Sequence, residues 1–299
     1  MAHNTIQQKV CSVLEFREGE LVIFLDHQER SFVQRLHPQG KLQTHRGFVP
    51  HADVIGCVPG TAFVTTKGKE LFAFRPTLVD FTMNMPRKSG IIYPKDTAYI
   101  LLWADVRPGG RVVAGGVGSG ALLLALAGQV GASGFVWGYD VRQDMLDFAA
   151  ANLRQFLGDH PANTEFKLGD VYENIDERDV DSVILDVPEP WQAVEQSALA
   201  LKPGGIIIAY MPTIRQAESF TGALRGSNRF GLVQTFEILV RDWHIRERSV
   251  RPNHRMVGHT GFLTVARRIV RPEGQAPPED PPTEPESERG APFPEETQD

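Results

Sequence analysis

The chain has 299 residues, 41% hydrophobic and 23% charged, with a formal charge of −6. That is room for one large and one small domain of an ordinary soluble protein, not a membrane or wholly disordered chain. The charge is uneven: nine acids and two bases lie between Arg271 and Asp299, leaving 29 basic against 28 acidic residues over 1–270, a body that does not advertise nucleic-acid binding.

Two cysteines, Cys11 and Cys57, argue against a disulfide framework or a cysteine metal site and fit a reducing compartment. The start lacks an apolar signal core, and no run approaches eighteen apolar residues, so the expectation is a cytoplasmic protein without membrane contact. Residues 1–78 read as a small β module. Short strands are expected at Val10–Phe16, Leu21–Leu25, Ser31–Leu36, Ala62–Thr66 and Leu71–Arg75, at the spacing of a β-barrel-like unit. Within it, Thr44-His-Arg-Gly-Phe-Val-Pro-His51 either serves a partner or simply makes a loop.

Residues 79–270 alternate strand and helix, the pattern of an α/β, Rossmann-like parallel sheet covered on both faces. Strands are expected at Arg111–Ala114, Phe135–Tyr139, Thr164–Leu168, Ser182–Asp186 and Gly205–Met211. A crossover helix spans Gln143–Leu157 with Met145, Ala149, Leu153 and Phe156 on its core face. After a helix at Ile214–Arg225, Leu232–Ile245 and Thr260–Ile269 are expected to pair antiparallel and close one sheet edge. A parallel run ending in such a pair is the pattern of S-adenosylmethionine (AdoMet) methyltransferases. Residues 271–299, with eight prolines and one aromatic, are expected to be a disordered acidic tail.

The first strand of that sheet runs into Gly116, Gly118 and Gly120 and then a helix, a corner where a ligand can lie against the backbone and meet free helix N–H groups. By itself the corner fits either a dinucleotide or AdoMet. Asp140, 20 residues after Gly120, ends the second strand as a ribose-binding acid or a helix cap. Asp170 ends the third strand as an adenine acceptor or a turn former. The fourth ends in Leu185-Asp-Val-Pro-Glu-Pro-Trp191, a carboxylate stiffened by prolines that folding needs alone explain poorly. Arg241, Arg246, Arg248, Arg251 and Arg255 suit phosphate forks or a solvated loop. His254 and His259 lack metal-ligand spacing, so no metal is expected.

Several motifs in order carry a resemblance: Thr44-His-Arg-Gly with Pro50-His51, Arg75-Pro-Thr, Met85-Pro-Arg, Ile92-Tyr-Pro-Lys-Asp96, Gly118-Ser-Gly-Ala-Leu122, Leu185-Asp186 with Pro190-Trp191, and Arg251-Pro with Gly258-His-Thr260. The chain resembles the tRNA (adenine-N1)-methyltransferases that modify adenine 58 of the T-loop. The resemblance implies an AdoMet site of Ser119, Gly120, Ala121, Leu122, Asp140, Met145, Asp170 and Asp186, besides Gly116 and Gly118. It implies Asp186 as the catalytic carboxylate, Tyr93 as the aromatic that holds the base, and a homotetramer. Arg87, Lys95, Arg251 and His259 are the expected tRNA contacts. One departure stands out. The family's glutamate before the first glycine is Ala114 here, which weakens cofactor binding, demands a compensating contact, or marks a silent RNA-holding relative.

Overall fold

The computed structural model describes residues 14–28, 30–158 and 161–271. The acidic tail from Pro272 onward, and residues 10–13 of the first expected strand, lie outside them. Phe16 belongs to no strand. It is tied by its backbone to Cys57 and Gly56, with N–H···O distances of 2.8 and 2.9 Å.

The small module contains β1 (Leu21–Asp26), β2 (Ser31–Arg35), β3 (Lys41–Thr44), β4 (Gly47–Pro50), β5 (Ala62–Val64) and β6 (Glu70–Phe74). Four strands make an antiparallel sheet in the order β2-β1-β6-β5, while β3 and β4 form a separate hairpin. Alternating residues of both meet in one core of Phe16, Val22, Phe24, Leu36, Leu42, Val49, Phe63 and Leu71. His51, a candidate partner residue, belongs to this core. Its Nε2 lies 2.8 Å from Gln34 Oε1, its Nδ1 accepts from His37 N–H at 3.2 Å, and its ring stacks on Phe24. Burial pushes its imidazole below the usual range, with the nearby His37 adding to that.

Two helices lead into the large sheet: α1 (Leu78–Asn84), closed by a reciprocal Thr77–Asp80 capping box, and α2 (Pro94–Trp103), which opens with Pro94 in its first turn. Then come β7 (Arg111–Gly115), α3 (Ala121–Val130), β8 (Phe135–Asp140), α4 (Gln143–Leu157), β9 (Thr164–Leu168), β10 (Val180–Leu185), α5 (Val194–Ala200), β11 (Leu201–Met211), α6 (Ile214–Gly226), β12 (Phe230–Glu237), β13 (Trp243–Arg246), β14 (Ser249–Pro252) and β15 (Phe262–Arg268). The sheet order is β12-β15-β11-β10-β7-β8-β9. Because β15 runs antiparallel to both β11 and β12, it is the one reversed strand, and β12 shares the direction of the other five. The last two long strands therefore pair antiparallel as expected, but β15 inserts between β11 and β12. β13 and β14 leave the sheet as a hairpin of their own.

Helix α3 is buried nearly all round, as its uninterrupted apolar sequence requires, whereas α4 buries a stripe of Met145, Leu146, Ala149, Asn152 and Leu153. Lys202-Pro-Gly-Gly205 is a bulge inside β11: Val180 pairs with Leu201, and the ladder resumes at Ser182 and Ile206. Among the described residues no helix is long and apolar enough to cross a membrane.

Asp96, fully buried on α2, locks this helix to the far strands. Lys95 Nζ donates to Asp96 Oδ1 at 2.7 Å, to the Ile238 carbonyl at 2.8 Å and to Thr260 Oγ1 at 2.7 Å, while Thr260 Oγ1 donates to Asp96 Oδ2 at 2.8 Å. Removing one partner strands a charge in a poorly solvated place. Asp96→Ala is expected to lower unfolding free energy by about 3–5 kcal/mol in urea denaturation, while Val79→Ala, on the exposed face of α1, changes it little.

Candidate functional site

The site forms where the carboxyl ends of β7, β8, β9 and β10 meet, the edge at which open parallel sheets bind ligands. After β7 the chain turns through Gly116, Gly118 and Gly120, with φ of +86°, +52° and +88°. Two of these glycines are demanded by the protein itself. A Cβ on Gly116 would lie 2.1 Å from the Asp186 carbonyl oxygen, and one on Gly120 would lie 3.0 Å from Ala149 Cβ on α4. Asp186 N–H donates to the Gly115 carbonyl at 2.8 Å, and Gly116 N–H donates to the Tyr139 carbonyl at 2.9 Å. The loop is thus sewn to both neighbouring strands.

Three expected carboxylates line one cleft of about 330 Å³ together with Gly116, Tyr139, Tyr172 and residues 187–189. Asp140 Oδ2 accepts from Gly118 N–H at 3.2 Å and its Oδ1 from Arg142 N–H at 3.0 Å, so it ties the glycine loop to the start of α4. Asp170 Oδ1 accepts from Tyr172 N–H at 2.9 Å, the turn its sequence context suggests. Asp186 differs. Among the described residues none donates a hydrogen bond to its carboxylate, and desolvation pushes its pKa up to about 7 although the residue keeps some contact with the cleft.

The loop behind Asp186 is held from two sides. Glu189 N–H donates to Tyr172 Oη at 2.9 Å, and Gln216, the third residue of the Thr213 capping box on α6, donates through Nε2 to the Pro188 carbonyl at 2.8 Å. Trp191 packs against the core on that face of the sheet. Tyr139, beside the cleft, donates to the buried Glu177 at 2.6 Å, and its hydroxyl is pushed up to about 12, chiefly by burial.

The segment between α1 and α2 forms another wall. Ser119 is buried, and its Oγ accepts from Lys88 N–H at 3.1 Å and Ser89 N–H at 3.3 Å. Its hydroxyl is therefore spent on holding residues 88–89 against the glycine loop. Asn152 on α4 completes the clamp by donating to the Ser119 carbonyl at 2.9 Å and the Pro86 carbonyl at 3.2 Å. Sequence reasoning missed Asn152. The only signal was a polar residue inside the apolar stripe of α4.

Tyr93, the residue before α2, is 40% exposed. Tyr210 lies near it and donates to the Thr260 carbonyl at 2.7 Å. Its pKa is pushed up to about 12 by burial first and then by the charges of Asp96 and Asp186. The four expected RNA contacts are engaged within the chain. All three Lys95 donors are used as described above, and Arg87 donates to the Thr82 and Met83 carbonyls at the end of α1. His259 Nδ1 lies 3.1 Å from Glu237 and Nε2 lies 2.8 Å from the Pro212 carbonyl. Arg251, on the β13–β14 hairpin, reaches the Pro252 carbonyl at 3.3 Å. Met145, Ala121 and Leu122 are buried, so near a ligand the last two offer backbone N–H groups at the start of α3, which no side chain caps.

One reversed strand in an otherwise parallel sheet, a glycine turn after its first strand, and acids at the ends of the next three define a Rossmann-like, class I methyltransferase fold. Solved structures agree. An O-methyltransferase of Thermotoga maritima, described as SAM-dependent, superposes with a TM-score of 0.83 at 34% identity over 88% of this chain and 97% of that one. The tRNA (m1A58) methyltransferase TrmI of Aquifex aeolicus superposes with a TM-score of 0.76 at 29% identity over 86% and 100%. More narrowly, the chain belongs to the tRNA methyltransferase complex GCD14 subunit family, whose model matches residues 70–251, and a TrmI-like N-terminal model matches residues 15–64. It is 36% identical to the tRNA (adenine(58)-N(1))-methyltransferase TrmI of Thermus thermophilus over 83% of this chain and 96% of the relative. It is equally identical, over 78% and 89%, to the Methanocaldococcus jannaschii enzyme named for adenines 57 and 58.

Asn152→Ala leaves the buried Ser119 carbonyl and the Pro86 carbonyl without this donor. The expected cost is about 1–3 kcal/mol, with faster amide hydrogen exchange at residues 87–89. Unchanged exchange there contradicts the clamp.

Proposed function

We propose that this chain transfers a methyl group from AdoMet to N1 of adenine 58 in the T-loop of tRNA. Family membership and the names of the Thermus and Methanocaldococcus relatives support the reaction. The observation that carries it is Asp186, an under-solvated carboxylate without a donor among the described residues, beside the glycine turn.

The residues suit the cofactor. Asp140 offers a carboxylate at the strand end, where ribose hydroxyls can donate to it. Gly118 gives its N–H to Asp140, while the uncapped start of α3 offers N–H groups to an anionic end. Asp170 is the acid on the adenine side, and Met145 belongs to the cofactor set by resemblance. Ala114 adds no carboxylate: it is buried among Ile92, Ile100 and Tyr210 in an apolar core. When bound, AdoMet supplies an electrophilic methyl on a sulfonium.

Asp186 holds the adenine N6 amino group and turns N1 toward that methyl, so reacting atoms meet in line. As the N1–C bond forms and the S–C bond breaks, positive charge grows on the base. The carboxylate stabilises that charge and takes the N6 proton. Tyr93 gives the extruded base a face to stack on. Lys95 acts through Asp96 by fixing the turn that carries Tyr93, while Arg87, His259 and Arg251 remain the tRNA contacts that the family resemblance implies. The enzyme works with tRNA as partner, as a homotetramer in the cytoplasm.

Two outcomes test this reading with labelled AdoMet and unmodified tRNA. Asp186→Asn is expected to lower kcat by about 10²–10⁴-fold with tRNA affinity kept. An unaffected rate contradicts the assignment, and RNA binding without transfer in the wild type supports a silent RNA-holding subunit. The second outcome is a pH profile. Burial raises the carboxyl from 3.8 to about 7, so the reactive carboxylate form grows as pH rises, and kcat/KM is expected to climb through an acid limb near 7. The same shift makes the folded state hold a proton that the unfolded chain releases, so Asp186 lowers stability progressively from about pH 4 to 7. Asp186→Asn abolishes that slope.

A further inference from the structure

The β3–β4 hairpin tip, Thr44-His-Arg-Gly47, is built more firmly than a connecting loop needs. Thr44 Oγ1 accepts from Arg46 N–H at 3.1 Å and donates to the Gly47 carbonyl at 2.9 Å. The buried Thr65 hydroxyl donates to the Arg46 carbonyl at 2.6 Å and accepts from Lys69 N–H at 3.1 Å. A Cβ on Gly47, at φ +100°, would lie 2.8 Å from Lys67 N. The tip is therefore locked to the turn between β5 and β6.

On this frame cations converge without an anion between them. Arg30 Nη1 and Arg46 Nε both reach His45 Nε2, at 3.3 and 3.2 Å. Two guanidinium donors thus converge on one ring nitrogen, which accepts in this arrangement. Lys67 donates to the His45 carbonyl at 3.3 Å. The Lys69 ammonium has no partner among the described residues.

The nearby carboxylates are already occupied. Arg30 hydrogen-bonds Asp26 and holds its carboxyl down at about 2, and Glu70 pairs with His27 at 2.7 Å. Three permanent cations, Arg30, Arg46 and Lys69, thus line a recess of about 60 Å³ with two engaged acids, Asp26 and Glu70. Folding gains little from placing guanidiniums side by side on an exposed tip. An incoming anion gains a great deal.

We propose that this recess is an accessory RNA site that seats one backbone phosphate of the substrate, with Arg46 and Lys69 as donors and His45 as the ring against which the fork is fixed. It deepens the tRNA reading above by assigning the small module a share of substrate affinity that carries no sequence information.

The test is binding of unmodified tRNA to the full chain, without methyl donor, by fluorescence anisotropy at 50 and 200 mM salt. Losing one phosphate contact lowers the salt slope by about 1. Arg46→Ala and Lys69→Ala are each expected to weaken binding at 50 mM, with the gap from wild type shrinking by about 3-fold at 200 mM. Arg46→Lys keeps the charge and most of the slope. AdoMet affinity stays unchanged in all three. Wild-type affinity and slope in Arg46→Glu overturn the proposal, as does Arg46→Lys behaving like Arg46→Ala. Failure of methyl transfer by a wild type that binds tRNA counts against the catalytic reading alone, because this binding is measured without chemistry.

Discussion

The site depends on one close backbone approach, the carbonyl of Asp186 against the α-carbon of Gly116. No side chain fits between them, since a Cβ there would lie 2.1 Å from that oxygen. The neighbouring bond from Asp186 N–H to the Gly115 carbonyl fixes the register. Together they bring the end of β10 level with the glycine turn after β7, so a carboxylate from one strand and a cofactor loop from another share a cleft. Any residue larger than glycine at 116 must push the two strand ends apart or break that bond. Everything proposed about chemistry inherits its geometry from this contact.

Around it, polar side chains mostly position rather than bind. Ser119 and Asn152 hold residues 86–89 against the glycine turn, and Tyr172 and Gln216 hold the proline loop. Lys95, Asp96 and Thr260 tie α2 to the ends of β12 and β15. With those groups satisfied, Asp186 is left as the one acid of the cleft without a donor among the described residues, and burial raises its pKa with no hydrogen bond to offset it. The alanine at 114 fits the same picture. It fills a position in the apolar core that also holds Ile184 and Ile208, so the charge a glutamate would bring is absent there.

Much of this was legible in the sequence because it follows from periodicity and punctuation. The five parallel strands, the α4 stripe and the three acids at strand ends were all readable, since strand ends are where short apolar runs stop. The insertion of β15 between β11 and β12 was not, because strand order is a long-range choice that neighbouring residues do not encode. Lys95 reads as an RNA contact because it flanks Tyr93, and His259 because it stands in Gly258-His-Thr260, and neither reading carries the bonds these side chains make within the chain. Their partners, Ile238 and Thr260 for one and Pro212 and Glu237 for the other, lie far away along the chain or across a turn. His51 read as a possible partner residue for the same reason, until Gln34 and Phe24 closed over it. Asn152 carried almost no signal, as its two acceptors are backbone carbonyls of segments distant in sequence.

The most direct measurement is the position of the transferred methyl. An unmodified tRNA transcript incubated with the protein and AdoMet, digested to nucleosides and fragments and analysed by mass spectrometry, is predicted to contain 1-methyladenosine in the T-loop fragment that carries adenine 58, and none when that base is replaced by guanine. A methyl on ribose oxygen or on another base, or transfer that persists with guanine at that position, would contradict the account.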